Sequence, residues 1–438
     1  MKSFKFFLFI NIAILLISSS CAAQEKGSMD HQRDTYKNNK EILVAAERLD
    51  KYLPLLKGKK IAVFANQTSM AGNKHLVDVL QQSGINIKVI FGPEHGFRGT
   101  ADAGEKVETT IDKATGVPVV SLYGKKRKPS KEDLQDVDVM LFDIQDVGAR
   151  FYTYISSLQE YMETAIKFNL PLIVLDRPNP NGHYVDGSVL EPKFKSFVGM
   201  QPVPIVYGMT IGEYAKMLLG EGWLSKEAMD AYTKNVLAAN YPPGATYFGL
   251  TVITCGNYTH KSKYVLPVKP SPNLPDMGSI YWYPSTCFFE GTLLSEGRGT
   301  DKPFQIFGHP SLPKALYSFT PTSREGAKEP KLRDQLCYGW NLSSTPDEAF
   351  KKVNGKVQLS WLINAYKLFP DKSNFFLSAK KEKLEETDYF FNKLAGNATL
   401  MQQVKNGVSE KDIRKSWEPK LNDFKKIRKK YLLYKDFE

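Results

Sequence analysis

Apolar residues in the first half of the chain fall into short, nearly unbroken runs. Ile61–Ala65, Ile87–Phe91, Val117–Leu122, Val137–Phe142 and Leu172–Leu175 are each bounded by polar or turn-forming residues and are rich in β-branched side chains. A strand covered by helices on both faces needs no polar side, so it reads as a continuous apolar segment rather than an alternating one. Helical patterns lie between several of these runs, over His75–Gln82 and Tyr152–Phe168. The alternation predicts an α/β fold, a Rossmann-like doubly wound parallel sheet.

The texture changes near residue 250, past the loop signal Pro242-Pro243-Gly244. Proline- and aromatic-rich loops follow, such as Lys269-Pro-Ser-Pro-Asn-Leu-Pro275, and then two glycine-rich polar stretches around Glu290 and Glu296. This predicts a Rossmann-like catalytic domain over 46–250 and a smaller α+β C-terminal domain over 251–438 that contributes to the cleft. Thr210 followed three residues later by Glu213 predicts a capping box opening an apolar helix.

The first residues have a different purpose. Lys2 and Lys5 precede an apolar stretch, Phe6–Ile17, and the small residues Ser18–Ala23 follow. That is the layout of a secretory signal, with an apolar core too short to span a bilayer comfortably. Two processing routes are open. Cleavage after Ala23 removes residues 1–23, whereas cleavage after residue 20 leaves Cys21 to carry a lipid, although Ser18 stands where lipoprotein signals favour leucine. Either route predicts an exported protein, periplasmic or lipid-anchored in the envelope, with 24–45 as a linker. Apart from Cys21, the cysteines are Cys255, Cys287 and Cys337, an odd set without close spacing. A disulfide framework or a zinc cluster is not indicated. The formal charge of +12 owes much to Lys425, Lys426, Arg428, Lys429 and Lys430. This run reads as the solvated face of a terminal helix, and no nucleic-acid partner is expected.

Nearly every predicted strand runs straight into chemistry-bearing residues. Asn66 and Gln67 follow the first, Glu94 and His95 the second, and Tyr123 the third; Asp143, Gln145 and Asp146 follow the fourth, and Asp176, Arg177 and Asn179 the fifth. In open parallel sheets these loops converge on one edge, where ligands bind. A nucleotide cofactor is not expected there, because no glycine-rich fingerprint or Walker-type loop follows the first strand. No metal is expected either, since histidine and carboxylate pairs at ligand spacing are missing. A serine nucleophile is disfavoured by the lack of a Gly-x-Ser-x-Gly elbow. Glu94, held between Pro93 and His95, is the leading candidate for a general acid whose pKa is raised by burial; its competing role is turn capping or pairing with Arg98. Asp143, Asp176 and Asp146 are candidate partners, since hydrolytic acid–base chemistry often pairs two carboxyl groups, glycoside cleavage being one case. Arg150, Arg177 and Arg298 suit an anionic sugar substituent, and Tyr123, Tyr152 and Tyr154 suit sugar faces.

Taken together, Phe91–Gly99, Ser121–Gly124, Phe142–Tyr154, Leu175–Pro180, Ser271–Asn273, Phe289–Thr292 and Ser295–Thr300 closely resemble the exo-β-N-acetylmuramidases of the NamZ type, in consistent order from about residue 57 onward. The resemblance implies a cleft between the two domains and hydrolysis of a terminal, non-reducing β-1,4-linked N-acetylmuramic acid, without cofactor or metal. Its substrates would be peptidoglycan glycan strands or muropeptides. By position, Glu94 matches the family's catalytic glutamate, while His95, Gln145, Asp146, Arg150, Tyr152, Arg177, Asn179, Asn273, Glu290, Glu296 and Arg298 map to the cleft; Asn66 and Gln67, read from the loop after the first strand, join them as substrate-binding candidates. One departure stands out: Val206-Tyr207-Gly208-Met209 occupies the place of an Arg-His-Gly-Met run. The alternatives are a metal-assisted envelope hydrolase and a non-catalytic glycan-binding lipoprotein.

Overall fold

The seven-stranded central sheet has the order β5-β6-β4-β1-β7-β8-β9. Its strands are β1 (Lys60–Ala65), β4 (Asn86–Gly92), β5 (Thr110–Ile111), β6 (Pro118–Ser121), β7 (Val139–Asp143), β8 (Leu172–Leu175) and β9 (Leu250–Ile253); β2 (Met70–Ala71) and β3 (Lys74–His75) form a small hairpin after β1. The computed structural model describes residues 41–93, 96–97, 110–237 and 248–438, so Glu94, His95, Arg98, Cys21 and the signal segment lie outside the described residues. All pairings in the sheet are parallel except that of β5 with β6. From β6 to β9 the parallel strands run third, second, first, fourth, fifth, sixth along the chain. This is the doubly wound order, and it turns direction between β1 and β7.

The period of two along a strand explains why both faces are apolar. Ala62 and Phe64 point to one face; Ile61, Val63 and Ala65 point to the other. On the first face, Phe64 sits opposite Phe91 of β4 and Phe142 of β7. Phe64 and Phe142 stack with centroids 5.0 Å apart, and Tyr161 of the helix Tyr154–Lys167 meets Phe64 edge-on at 5.2 Å. On the second face, Ile61, Val63, Leu141 and Ile173 pack with residues of the helices Leu49–Leu56 and Leu76–Gln82.

The C-terminal part is smaller and mixed. It holds an antiparallel sheet, ordered β10 (Ile306–His309), β12 (Cys337–Asn341), β11 (Tyr317–Phe319), with helices that include Met277–Thr286, Phe390–Ala395 and Glu410–Lys429. One hydrophobic cluster runs from Ala62 in β1 to Phe424 in the last helix, and Leu43–Glu438 form one compact unit. The helix Ile211–Gly220 opens with the expected capping box: Thr210 Oγ1 accepts from the Glu213 N–H, and Glu213 returns a carboxylate oxygen to the Thr210 N–H at 2.9 Å. The basic run is largely matched in place. Arg428 is buried against Asp436 and the Gly208 carbonyl, Lys425 and Lys429 meet Glu438, and Lys430 meets Glu221. Cys255, Cys287 and Cys337 are buried free thiols.

A buried ion pair fastens the carboxyl ends of the central strands. Asp143, last residue of β7, receives Arg177 Nε at 2.6 Å and Nη2 at 2.8 Å, and that Nη2 also donates to the Met70 carbonyl of β2. Neither side chain is more than 2% exposed. The two-pronged geometry fits a planar guanidinium to a carboxylate and joins the ends of β7 and β8 to the β2–β3 hairpin. Asp143→Asn strands a guanidinium without its counter-ion, and the expected loss is about 3–5 kcal/mol of unfolding free energy. Urea denaturation at neutral pH measures it; a loss under about 1 kcal/mol is the behaviour of a solvated pair and contradicts this account.

Candidate active site

A cleft of about 510 Å³ opens at the carboxyl edge of the central sheet. Tyr123 and Arg127 reach it from the loop after β6, and Phe151–Tyr154 from the segment after β7. The other wall comes from later in the chain: Ser271 and Asn273, then Tyr283, Glu290, Arg298 and Phe304. The aromatic rings form a connected surface. Tyr152 meets Tyr154 at 4.7 Å and Tyr283 at 5.9 Å, while Tyr283 meets Phe304 edge-on at 4.8 Å. Such a wall, with a few polar groups set into it, suits the apolar faces and hydroxyl rims of a sugar.

Glu290 is the carboxylate among the described residues that line the cleft. Its side chain is 17% exposed, and Arg298 Nη2 lies 2.8 Å away. Burial raises the Glu290 pKa from the ordinary glutamate value, although Arg298 pulls against it. Glu296, behind it, is 3% exposed and bound by Lys331 at 2.8 Å and by Arg298 at 3.2 Å. Burial opposes its charge, but Lys331 and Arg298 together hold its pKa below the usual value. Arg298 also lies over the Phe304 ring at 4.9 Å, so its orientation is fixed on two sides.

Several other predicted site residues stand outside the cleft lining, in a hydrogen-bonded floor among the strand-end loops. Asn66 Oδ1 accepts from the Thr68 N–H and hydroxyl at 2.9 and 2.6 Å, and its Nδ2 donates to Tyr154 Oη at 2.8 Å. Gln67 donates to the carbonyls of Lys269 and Pro270, and Tyr152 Oη reaches the Pro270 carbonyl at 2.8 Å. Gln145 Nε2 binds the carbonyls of Asp146 and Pro178, and Asn179 binds the Met209 carbonyl. Asn273 lines the cleft, while its Nδ2 anchors it to the Gly326 carbonyl at 2.8 Å. Hydrogen bonds of this kind remove the freedom of the loops that carry Tyr152, Tyr154 and Asn273.

Asp143 and Asp176, expected as catalytic partners, belong to that floor. Asp143 holds Arg177, so that both Nε and Nη2 of that guanidinium are engaged inside the protein. Asp176 is fully buried; it accepts from Thr210 Oγ1 at 2.7 Å, Tyr434 Oη at 2.6 Å, the Gly212 N–H at 2.8 Å and the Arg177 N–H at 3.0 Å. With its acceptor sites filled from several elements, it fastens the helix Ile211–Gly220 and the C-terminal tail to the end of β8. Arg150 is likewise buried, donating to the carbonyls of Ser188 and Val203 at 2.7 Å and of Leu394 at 2.8 Å. Burial draws its pKa down to about 9. It closes the end of the helix Phe390–Ala395, where Gly396 at φ 77° leaves room that a Cβ, 2.7 Å from Arg150 Nη2, would fill.

Asp146 is different. One oxygen accepts from the Gly148 N–H at 2.7 Å and from the hydroxyl of Tyr207, which stands where the resemblance expects a histidine. The other oxygen, Oδ1, is buried and receives no hydrogen bond among the described residues. Burial raises its pKa from 3.8 to about 6, against the hydrogen bonds from Tyr207 and Gly148.

Arg127, Phe197, Tyr283, Phe304 and Phe390 line the cleft but were not singled out from the sequence. For Arg127 a signal was present, since it sits just beyond Tyr123-Gly124 in one of the strand-end loops. The others arrive from separate parts of the chain through packing.

The chain is similar to known proteins over most of its length. Residues 61–278 match the family description "Exo-beta-N-acetylmuramidase NamZ, N-terminal", and residues 281–434 match its C-terminal counterpart. Peptidoglycan beta-N-acetylmuramidase NamZ of Bacillus subtilis (strain 168) is 38% identical over 432 residues, which cover 93% of this chain and 94% of that protein. A solved structure of a DUF1343 family protein from Bacteroides fragilis NCTC 9343 is 43% identical, with a TM-score of 0.77, and covers 91% of this chain and all (100%) of that one. A second DUF1343 structure from the same organism is 28% identical, with a TM-score of 0.70, over 90% of this chain and 99% of that one.

The environment of Asp146 predicts an opposite pH response from that of an ordinary surface carboxylate. Because its folded-state pKa lies above the unfolded value, the stability it lends is complete below about pH 4 and is lost as pH rises through about 6. Asp146→Asn cannot ionise, so it should gain on the wild type between pH 4 and pH 8, by on the order of 3 kcal/mol. Paired urea titrations at the two pH values measure that gain; a gap that stays constant means the carboxyl is not neutral in the folded protein.

Proposed function

The chain belongs to the NamZ family of exo-β-N-acetylmuramidases, and from that membership we propose that it is a peptidoglycan glycoside hydrolase. The specific reaction proposed is release of N-acetylmuramic acid from non-reducing ends, with cleavage of the β-1,4 linkage. The carrying observation is the cleft itself: an aromatic wall with one carboxylate–guanidinium pair set into it, at the edge where the strand-end loops meet. Its volume falls in the range of pockets that enclose a small ligand, and it is of a size for a terminal sugar and its glycosidic bond.

Cleavage requires a proton donor at the glycosidic oxygen, and Glu94 is proposed for that role. It lies outside the described residues, but Pro93 and Gly96 on either side are joined by a hydrogen bond of 3.0 Å at the end of β4. Gly92 pairs with Ser121 of β6, whose loop carries Tyr123 and Arg127 into the cleft. A second group must assist at the anomeric carbon. Glu290 is proposed in preference to Asp143 and Asp176, because it faces the cleft while they are enclosed. Glu290 and Arg298 form a neutral pair in the ground state, which a developing positive charge on the sugar ring would polarise. The acetamide of the substrate is the other candidate for this assistance. The substrate class also supports export, and with it the signal reading of residues 1–23 and lipid attachment at Cys21 as one of its two outcomes.

Glu94→Gln removes the donor proton without changing side-chain size. It should lower kcat on a chromogenic β-N-acetylmuramide by roughly 10²–10⁴-fold, with an unchanged thermal midpoint. A variant that keeps most of its turnover moves the acid elsewhere. Glu290→Gln, assayed on the same substrate, should lower kcat with little change in KM if Glu290 assists the developing charge; turnover at the wild-type rate leaves the acetamide as the assisting group.

A further inference from the structure

We propose that Arg127 is the carboxylate receptor of the cleft, binding the lactyl acid group that distinguishes N-acetylmuramic acid from N-acetylglucosamine. The proposal rests on the muramidase reading and assigns a specificity-determining residue to it. Muramic acid differs from glucosamine by a lactyl ether ending in a carboxylate, so discrimination between the two sugars calls for a cation placed to meet it.

The cleft has two guanidinium groups among its described lining residues, Arg127 and Arg298. Arg298 is committed. It holds Glu290 at 2.8 Å and Glu296 at 3.2 Å, and those two carboxylates with Arg298 and Lys331 make a balanced cluster. Arg150 and Arg177, the other arginines considered for this task, are buried: Arg150 donates through Nη1 and Nη2 to backbone carbonyls, and Arg177 through Nε and Nη2 to Asp143 and the Met70 carbonyl.

Arg127 stands in the opposite condition. Its neighbours in the loop are paired, Lys126 with Asp133 at 2.6 Å and Lys128 with Glu160 at 2.7 Å and Glu163 at 2.8 Å. Arg127 itself has no carboxylate or hydrogen-bond acceptor among the described residues. Its contact is with a ring: the guanidinium carbon lies 4.3 Å from the centroid of Phe197, which also lines the cleft. Stacking on an aromatic face holds a guanidinium plane in place while leaving its N–H edges open to donate to a carboxylate in two-pronged fashion. An exposed arginine held by a ring, with unfilled donors at the mouth of a sugar-sized cleft, is prepared for an anion that arrives with the ligand. Its loop leaves β6 beside the end of β4, where the Leu122 N–H donates to the Gly92 carbonyl at 2.9 Å. The receptor and the segment proposed to hold the acid therefore leave the sheet from adjacent strands.

Arg127→Ala and Arg127→Lys test the assignment on the full chain with two chromogenic β-muramides, one with a free lactyl carboxylate and one with that carboxylate converted to a methylamide. Calorimetric binding of free N-acetylmuramic acid and N-acetylglucosamine provides a readout independent of turnover. Arg127→Ala should raise KM for the acid substrate roughly 10- to 100-fold with a much smaller change in kcat. The amide substrate should change little, and Arg127→Lys should recover part of the loss. The preference of the wild type for binding N-acetylmuramic acid should disappear in Arg127→Ala. An unchanged KM for the acid substrate, or equal losses on acid and amide, overturns the assignment while leaving the hydrolase intact. If the wild type turns over neither muramide yet binds N-acetylmuramic acid in an Arg127-dependent way, the hydrolase reading fails and the receptor stands. Absence of both turnover and selective binding removes both.

Discussion

A pair of opposite charges closed off from water must be satisfied completely, and the Asp143–Arg177 pair imposes that demand at the centre of this fold. Asp143 ends one strand at the turning point of the sheet, and Arg177 follows the next strand over. Attraction in a medium of low polarity is strong only when geometry is good, and desolvation is severe when it is not. Correct registration of β1, β7 and β8 is therefore tied to a contact that tolerates little error. The hairpin after β1 joins the same arrangement through its Met70 carbonyl. Asn66, Gln145 and Asp176 extend the polar layer outward from the pair, each bonded to a different loop.

Rigidity beneath a site and reactivity within it are divided between two sets of residues. The floor uses carboxylates and amides whose partners are supplied by the protein. The cleft uses rings and a few charged groups with partners on one side and open space on the other. Glu290 illustrates the second class, since Arg298 fixes it from behind while it remains partly exposed. A ligand entering such a site meets groups already oriented, so less ordering remains to oppose binding. Sequence texture hides the division, because an aspartate in the floor and a glutamate in the cleft are both acidic residues beside a turn or a strand end.

Legibility in the sequence follows from the range of the interactions. Strand runs, the helix over Tyr154–Lys167 and the Thr210–Glu213 cap depend on neighbours close along the chain, and each is present. Convergence of the loops on one edge was also readable, as a consequence of parallel pairing. The roles of Asp143 and Asp176 were not, because they depend on whether distant groups fill their lone pairs. Arg177 comes from 34 residues away and Tyr434 from 258. Arg150 presented the same difficulty: its partners are backbone carbonyls, which carry no sequence signature at all. The aromatic wall was half visible, with Tyr152 and Tyr154 inside the motif Phe142–Tyr154 and Tyr283, Phe304 and Phe390 delivered by packing from the second half.

The hydroxyl of Tyr434 on Asp176 has a consequence for the order in which this molecule is made. A ribosome releases the whole parallel sheet long before it reaches the tail, so through most of synthesis the end of β8 lacks the donor that Tyr434 brings, and Glu213 lacks the Leu433 amide. These two hydrogen bonds of the first half are completed only when the tail has emerged and folded back. Until then the nascent polypeptide keeps buried acceptors at the end of β8 and on Glu213 that its own earlier residues do not fill.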